Sequence, residues 1–199
     1  MLDAKQCLEL LAGIRSLSVA TVDAVGGPQV RILDMVLHDG LLYFVTARGK
    51  DVYTQLMADD RVGIVGMTKD WKMIRMSAHA VHKERSRVGL VLGKDKSIND
   101  VYPGESSRIL EAFCVERGTG ELFDLGGTPV RREDFAFGGA GVVEKGYSIG
   151  GECTECGICA QSCPQQCIVE GTPFLIRQGN CLHCGLCREV CPADAVGHR

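Results

Sequence analysis

Two copies of one cysteine pattern occupy the last quarter of the chain and restrict what it can fold into. The first copy consists of Cys153, Cys156, Cys159 and Cys163, and the second of Cys181, Cys184, Cys187 and Cys191. A proline, Pro164 or Pro192, follows the fourth cysteine of each copy. A pattern repeated in full indicates an internal duplication. The clustering and the odd total of 11 cysteines argue against an extracellular disulfide framework and favour a reducing compartment.

Both copies have the spacing C-x2-C-x2-C-x3-C-P, which is typical of bacterial ferredoxins with two 4Fe-4S clusters. Three closely spaced thiolates can bind three corners of one iron–sulfur cube, while the fourth, expected to begin a short helix, faces the other cube. Gly157 and Gly185 let the backbone pass close to sulfur. The predicted ligands are Cys153, Cys156, Cys159 and Cys191 for cluster 1, and Cys181, Cys184, Cys187 and Cys163 for cluster 2.

Zinc is the main alternative, but a zinc site needs four ligands and gives the x3-C-P continuation no purpose. Cys167 lies outside the pattern and is interpreted as a small buried residue beside a cluster. Residues 166–177 are expected to form a hairpin that covers the clusters. Because about 50 residues provide too little core to fold alone, the clusters would also be the structural centre of this unit.

Composition and charge describe the kind of protein that carries this unit. The net charge of −3 argues against nonspecific binding of nucleic acid. No stretch approaches the roughly 20 apolar residues of a membrane helix. The N-terminus lacks a basic region followed by an apolar core, so no secretory signal is predicted and the cytoplasm is the expected location. Exposed clusters of low potential are sensitive to oxygen, which suggests an anaerobic host.

The first three quarters of the chain alternate short strands, turns and helices. Strands are predicted over 18–23, 29–37, 41–46, 61–67, 73–82 and 121–125. Helices are predicted over 3–12, 51–57, 85–92 and 106–114, with a loop over 94–104. Several hairpin-connected strands with few helices indicate a small β-barrel with helices outside it.

Glycine enrichment after residue 137 predicts a linker between two domains. The expected organisation is a barrel domain at 1–137, a linker at 138–150 and a two-cluster domain at 151–199. Val142 and Val143 are expected to form a short strand within the linker.

Residues from about 5 to 126 resemble the pyridoxamine 5′-phosphate oxidase-like family of FMN-binding split barrels. The resemblance rests on Ser18-Val-Ala-Thr21, Pro28-Gln-Val-Arg31-Ile-Leu33-Asp34, Leu42-Tyr-Phe-Val-Thr46-Ala-Arg48-Gly-Lys50, Met73-Ile-Arg75-Met76-Ser-Ala78, Tyr102-Pro103 and Gly120-Glu-Leu-Phe-Asp-Leu125. It implies a mainly β split barrel with flanking helices, joined here to a small α+β ferredoxin-like domain. It also implies a homodimer with FMN at the interface.

The candidate flavin site combines cations with backbone at strand ends. Arg31, Arg48 and Lys50, with the Thr46 hydroxyl, can hold a phosphate through charge-assisted hydrogen bonds. The resemblance implies that Arg31 and Lys50 contact the FMN phosphate. It further implies that Ile32, Leu33, Asp34, Phe44, Val45 and Thr46 line the flavin ring, and that Met73 stands where a glutamine lies near it.

Two departures from the family pattern and one chemical objection argue against oxidation of pyridoxamine phosphate. Gly49 stands where vitamin-oxidising members have arginine, and their substrate-binding arginine and histidine have no counterpart before the linker. Transfer of electrons to oxygen is also awkward beside oxygen-sensitive clusters.

Five other residues are interpreted as structural. His79 and His82 on one strand are expected to be surface or hydrogen-bonded residues rather than ligands, although other split barrels bind haem. Trp71 is expected at the dimer interface, and Cys7 and Cys114 in the core.

FMN handles electrons in pairs and the clusters pass them singly, so the fusion predicts an internal electron path. The first hypothesis is an oxidoreductase that acts on a small substrate at the flavin, with a ferredoxin-like or other redox protein as donor or acceptor. The second is an electron carrier, or a subunit of a larger redox complex, that has no substrate of its own. The third is a haem- or flavin-binding redox sensor. An open pocket over the ring favours the first, and a blocked ring with an exposed cluster face favours the second.

Overall fold

The computed structural model describes residues 3–199, so residues 1 and 2 of the expected first domain lie outside it. The first part of the chain contains the helices α1 (Ala4–Ile14), α2 (Asp51–Ala58), α3 (Ser86–Lys94) and α4 (Lys96–Val101). Its strands are β1 (Ser16–Val22), β2 (Pro28–Asp34), β3 (Val36–His38), β4 (Leu41–Ala47), β5 (Arg61–Met67), β6 (Lys72–Lys83), β7 (Leu110–Asp124) and β8 (Arg131–Phe137).

The eight strands form one antiparallel sheet with the order β2-β1-β5-β6-β7-β4-β3, and β8 also pairs with β7. The long strand β7 organises this sheet. It pairs with β6 along one edge, and on the other edge with β4 near its start and β8 near its end. The sheet curls into a half-barrel with helices beside it, and this confirms the predicted fold class.

The inner face of the sheet carries the main core. Phe44 of β4 and Phe113 of β7 are fully buried and their rings stack with centroids 5.5 Å apart. Helix α1 begins with a capping box between Asp3 and Gln6, which satisfies free N–H groups of its first turn. The helix buries its apolar side against the sheet, including Cys7, and Cys114 is buried too, as predicted.

The helix predicted over 106–114 is wrong. A 3₁₀ turn spans Gly104–Ile109, and β7 begins at Leu110. The run from Ala112 to Val115 is buried on every residue because β7 lies between β4 and β6 and is covered on both faces. A short continuous apolar run does not distinguish such a strand from a buried helix. The segment predicted as a separate strand at 121–125 is largely the end of β7.

Two further local predictions differ from the structure, and one strand was not predicted. The expected loop at 94–104 contains α4, because the buried Asp95 side chain caps it by accepting a hydrogen bond from the Ser97 N–H. Val142 and Val143 are exposed and form no strand. Strand β8 was not predicted, since its run of charged residues hides the alternation that marks a strand.

The last quarter contains β9 (Tyr147–Ile149), α5 (Ile158–Ser162), β10 (Ile168–Val169), β11 (Leu175–Ile176), α6 (Leu186–Glu189) and β12 (Val196–His198). Strand β9 pairs with β12, and β10 pairs with β11 as the hairpin predicted within 166–177. Equivalent residues of the two cysteine copies share left-handed backbone: Glu155 with His183, Gly157 with Gly185, and Gln166 with Asp194. The duplication seen in the sequence is therefore present in the backbone.

No helix within residues 3–199 has the length and apolar character required to cross a membrane.

Candidate cluster and flavin sites

The eight repeated cysteines form two groups of four thiols, each around its own cavity. The first thiol group consists of Cys153, Cys156, Cys159 and Cys191, which line one cavity. The second thiol group consists of Cys163, Cys181, Cys184 and Cys187, which line another. Each group takes three cysteines from one copy and the fourth from the other, so the structure brings together the four members of each predicted ligand set.

The spread of these thiols suits a cofactor larger than one ion. All eight are free rather than joined in disulfides. Within residues 3–199, no three His, Cys, Asp or Glu side chains converge closely enough to hold a single metal ion. Four sulfurs around one zinc ion would each lie about 2.3 Å from a common centre. Four cysteine thiols at one cavity are the ligand number that a 4Fe-4S cluster takes.

The glycine after the second cysteine of each copy turns the chain around its cavity. Gly157 and Gly185 have φ values of 74° and 82° and lie at the N-caps of α5 and α6. Glycine adopts this left-handed conformation without the steric cost of a Cβ atom. Backbone N–H groups also point at sulfur in both groups, where Ala195 donates to Cys191 Sγ at 3.3 Å and His183 to Cys181 Sγ at 3.4 Å.

The prediction that the fourth cysteine begins a helix is wrong. Helix α5 ends at Ser162 and α6 at Glu189, so Cys163 and Cys191 follow their helices. Cys163 has extended backbone, with φ −69° and ψ 117°. The proline that follows disfavours helical backbone at the residue before it, which explains the position of the helix end.

Burial and hydrogen bonding shift the pKa values of these thiols in opposite directions. Burial raises the pKa of Cys159 and of Cys187. At Cys163 burial acts in the same direction, but backbone N–H groups, the strongest from Cys167, outweigh it and lower the pKa. Cys167, which is buried as predicted, lies 3.5 Å from Cys163 between sulfur atoms. Its pKa is raised by burial and by Cys163, so Cys167 keeps its proton while Cys163 is the better thiolate.

Arg31 lies on the inner side of β2 and reaches toward α2. Its guanidinium donates to the Thr21 hydroxyl and, at 2.9 Å, to the side-chain oxygen of Gln55. Thr21 and Gln55 are both buried and are also joined by a hydrogen bond of 2.6 Å. Two buried neutral groups thus hold Arg31 without neutralising its charge, and this leaves it able to bind an anion.

Lys50 and Arg48 lie in the turn that leads from β4 into α2. Lys50 is the exposed N-cap residue of α2, and its ammonium lies 5.8 Å from the centroid of the Tyr102 ring. Arg48 instead donates to Glu111 at 2.6 Å, and the other oxygen of Glu111 lies 2.9 Å from His82 Nε2. Burial raises the pKa of Glu111, but hydrogen bonds from His82 and Arg48 lower it by more. The net effect is a lowered pKa, so the carboxylate stays charged. Arg48 is therefore less free than Lys50 to bind a phosphate.

Thr46 presents a buried hydroxyl without a partner among the described residues. The residue is 3% exposed, and its Oγ1 atom has no hydrogen-bond partner within residues 3–199. A buried hydroxyl left unpaired costs about 1–3 kcal/mol, so such atoms call for an explanation. Thr46 lies on the face of β4 that also carries Phe44, four residues before Lys50. A bound polar group at the start of α2 would complete its hydrogen bonding.

The other predicted flavin residues are distributed over both faces of the sheet. Leu33 and Phe44 pack in the inner core, whereas Val45 packs against the outer clusters beneath α3 and α4. Asp34 accepts from the Ser16 hydroxyl at 2.6 Å and pairs with Arg15. Ile32 and Met73 lie on the outer face, where Met73 is opposite Met67. Arg31 thus reaches α2 through Gln55, Thr46 lies on the inner face of β4 and Lys50 at the start of α2, whereas Met73 lies on the outer face.

The outer face of β2 and β5 carries exposed apolar side chains, which we call the apolar outer patch. The patch consists of Val30, Ile32, Val65 and Met67. Ile32 lies opposite Ser18, which in turn lies opposite Val65, so the patch continues across β1. Trp71 is also exposed, at the turn between β5 and β6.

Both strand histidines have partners. His79 Nδ1 lies 2.8 Å from Asp60, and His82 binds Glu111 as described above. The prediction that they are hydrogen-bonded residues is confirmed.

Several polar residues beside the candidate sites were not predicted. Gln55 and Glu111 approach Arg31 and Arg48 only through strand pairing and helix packing. Arg132 and Glu121 form a buried ion pair between β7 and β8. The one sequence signal for such residues was a polar side chain within a buried run, as for Gln55 on the apolar side of α2.

Comparisons with known proteins gave matches for the C-terminal quarter of the chain and for its N-terminal part. Residues 146–192 match the protein family described as a 4Fe-4S dicluster domain. No curated protein sequence matches the chain.

Solved structures resemble the N-terminal part. A NimC/NimA family protein from Clostridium acetobutylicum shares 24% identity with a TM-score of 0.59, over 67% of this chain and 92% of that one. A pyridoxamine 5′-phosphate oxidase-related, FMN-binding protein from Nostoc punctiforme shares 16% identity with a TM-score of 0.52, over 71% and 93%. A haem-binding protein from Mycobacterium smegmatis shares 13% identity with a TM-score of 0.53, over 67% and 58%.

At these identities the structural likeness establishes the fold alone. The C-terminal quarter of the chain matches the 4Fe-4S dicluster domain family, and its N-terminal part has the fold of the pyridoxamine 5′-phosphate oxidase-like split barrels.

Proposed function

We propose that this protein is an oxidoreductase that exchanges electrons between FMN in the barrel and two 4Fe-4S clusters, and that acts on a small molecule at the flavin. The observation that carries the proposal is the pair of four-thiol groups around two cavities, in one chain with a split-barrel sheet. The match of residues 146–192 to a dicluster domain supports the iron–sulfur part.

The two thiol groups fit two iron–sulfur clusters. Each provides the four cysteine thiols that one 4Fe-4S cluster takes, and N–H groups point at sulfur in both. The first thiol group would hold cluster 1 and the second thiol group cluster 2. When bound, each cluster carries one electron at a time. Phe174 and Val196 line the first cavity, and such apolar walls would limit solvent access to it.

FMN fits the inner end of the sheet near α2. Arg31 and Lys50 supply two cations that can bind a phosphate, and the unpaired Thr46 hydroxyl supplies a donor beside them. Arg48 donates to Glu111 and would contact the phosphate only after breaking this hydrogen bond. When bound, FMN supplies two-electron chemistry in the barrel. The FMN-binding relative from Nostoc punctiforme, which has the same fold, supports this cofactor.

The apolar outer patch supports a homodimer. Four apolar side chains exposed together on a sheet face mark a surface that another protein covers. The outer sides of β2 and β5 would pack against the same strands of a second copy in a two-fold arrangement.

Exposed cysteines favour a redox protein as the electron donor or acceptor. Cys156 of the first thiol group and Cys184 of the second are both exposed. A partner can therefore approach either cluster edge without opening the fold. The same observation supports the second candidate function, an electron carrier with no substrate of its own.

Purification without oxygen tests the proposal. About eight iron atoms and about eight sulfides per chain are expected, because each 4Fe-4S cluster contains four iron and four sulfide ions. One FMN per chain is expected as well. The expected spectrum has broad cluster absorbance with flavin bands. Zinc in place of iron, or the absence of flavin from protein refolded with FMN, would refute the function.

Access to the flavin separates the two candidate functions. Iodide is a small, soluble quencher of FMN fluorescence. Quenching in the loaded protein would show that a small substrate can reach the ring and would support the oxidoreductase. Protection from iodide would support the carrier instead.

A further inference from the structure

A buried arginine joins the barrel sheet to the loop that holds the second thiol group. The side chain of Arg132 on β8 is 7% exposed. Its Nε atom donates to the backbone oxygen of Cys181 at 3.1 Å, and one terminal nitrogen donates to Glu121 at 2.6 Å. The Arg132 guanidinium also lies 4.7 Å from the centroid of the Phe123 ring. One side chain thus touches β7, β8 and the first cysteine of the second copy.

Arg132 is the member of a charge network that contacts the loop of Cys181. Glu121 is 2% exposed in its side chain and also binds Arg75 Nε at 2.6 Å. Two guanidinium groups share this carboxylate, and Asp134 lies opposite Glu121 on β8. Arg75 is more than half exposed and its charge is screened by water, whereas the charge of Arg132 is not.

Neighbouring hydrogen bonds fix the same contact. Asn180 donates from its side chain to the backbone oxygen of Val130 at 2.9 Å, and the Val130 N–H donates to Gln165 at 3.2 Å. Asn180 precedes Cys181, and Gln165 lies two residues after Cys163. All of these bonds end beside cysteines of the second thiol group, so this group adjoins the sheet.

The contact lies on the outer face of the sheet, which also carries Met73. Met73 of β6 is opposite Phe123 of β7, which is opposite Arg132 of β8. Residues directly opposite in a sheet share a face, and neighbouring strands lie about 4.8 Å apart. The backbones of Met73 and Arg132 are therefore about 10 Å apart.

We propose that Arg132 is a positioning residue that docks the second thiol group on the sheet and raises the reduction potential of cluster 2 relative to its value without this charge. The inference rests on the proposed function. A 4Fe-4S cluster that accepts one electron gains one negative charge. A nearby buried cation therefore stabilises the reduced cluster more than the oxidised one. Because the second thiol group adjoins the sheet, cluster 2 is the cluster in contact with the barrel.

The test uses the intact, cluster-loaded protein with two substitutions and a control. Arg132→Met removes the charge and the fork, and Arg132→Lys keeps the charge but cannot make both hydrogen bonds at once. Arg131→Met is the control, because Arg131 is adjacent on β8 and mostly exposed. Both midpoint potentials are measured by dithionite titration monitored by electron paramagnetic resonance. Paramagnetic NMR of the cysteine protons assigns each potential to its cluster.

In Arg132→Met the potential of cluster 2 is expected to shift downward while that of cluster 1 stays in place. In Arg132→Lys both potentials stay near the original values, but protease cleavage between β8 and β9 becomes faster. The control changes neither quantity. An unshifted cluster 2 in Arg132→Met, or equal shifts of both clusters, would overturn the effect of charge.

Failure of Arg132→Met to fold would leave Arg132→Lys as the test, and unchanged cleavage in that variant would overturn the docking role. Absence of iron from the unsubstituted protein would instead refute the proposed function, which keeps the two failures distinct.

Discussion

At the scale of single residues, the position of a cysteine in the fold determines whether it belongs to a thiol group or to the barrel core. Cys156 and Cys184 are the second cysteines of their copies and are exposed, while Cys159 and Cys181 are buried. Cys7 and Cys114 have the same thiol but lie in the core of the barrel, where burial raises the pKa of both. Neither lies with the cysteines of the two thiol groups, and both pack in the barrel core.

Cys156→Ala is expected to lose one cluster, because the first thiol group keeps only three thiols. Iron would fall from about eight to about four atoms per chain, with loss of about half the cluster absorbance. Iron and sulfide analysis after purification without oxygen measures this. Cys114→Ala is the matched control and should keep all its iron. A full complement of iron in Cys156→Ala would show that Cys156 is not a ligand.

Thr46→Val is expected to act in opposite directions on stability and on cofactor binding. In the FMN-free protein it removes a buried unpaired hydroxyl and should raise the free energy of unfolding by about 1 kcal/mol. It should also weaken FMN binding about tenfold, through loss of one hydrogen bond. Urea unfolding and fluorescence titration with FMN measure the two effects.

Thr21→Val is the control for that experiment, since its hydroxyl is buried but bonded to Gln55 and Arg31. It should destabilise the FMN-free protein. If Thr46→Val were destabilising in the same way, its hydroxyl would have a partner without the cofactor.

At the scale of elements, helix ends and strand neighbours determine the structure more than propensity does. The segment around Asp95 shows this, because a short helix forms where loop-like residues predominate. Asp95 is buried, accepts from the Ser97 N–H and hydroxyl, and pairs with Arg15 at the end of α1. One carboxylate therefore connects α1, α3 and α4.

Asp95→Ala is expected to destabilise the protein by about 2 kcal/mol, because it removes a helix cap and leaves Arg15 without this partner. Asp100→Ala, an exposed position on the same helix, should change stability by less than about 0.5 kcal/mol. Urea unfolding followed by circular dichroism compares the two. Equal effects would show that the cap does not stabilise α4.

At the scale of the whole molecule, the outer face of the sheet has two different surroundings. A line of opposite residues runs from Ile32 through Val65 and Arg75 to Glu121. The apolar outer patch lies at one end of this line, and Glu121 and Arg132 meet the C-terminal unit at the other.

Ile32→Glu is expected to convert the proposed dimer to a monomer, since it would bury a charge at the interface. Light scattering coupled to size-exclusion chromatography measures the mass. Val25→Glu is the control, because Val25 is almost fully exposed in the turn between β1 and β2, outside the patch. A monomeric unsubstituted protein would contradict the dimer, and a dimeric Ile32→Glu variant would place the interface elsewhere.

Local patterns allowed much of the fold to be predicted. The cysteine spacing indicated an iron–sulfur domain, and the family match agrees. Strands such as β5, with alternating burial, and helices with clear starts, such as α2, were placed within about one residue. These features depend on residues close together in the chain, where backbone geometry and side-chain period determine the result.

The sequence by itself indicated a 4Fe-4S domain near the end of the chain and a β-barrel fold before it. Only the tertiary structure decided that Leu110 begins a strand, because burial on both faces outweighed the helical pattern. It alone also brought Arg132 to Glu121 and to the loop of Cys181. Contacts between distant segments depend on how strands pair and units dock, and the spacing of residues along the chain carries no record of either.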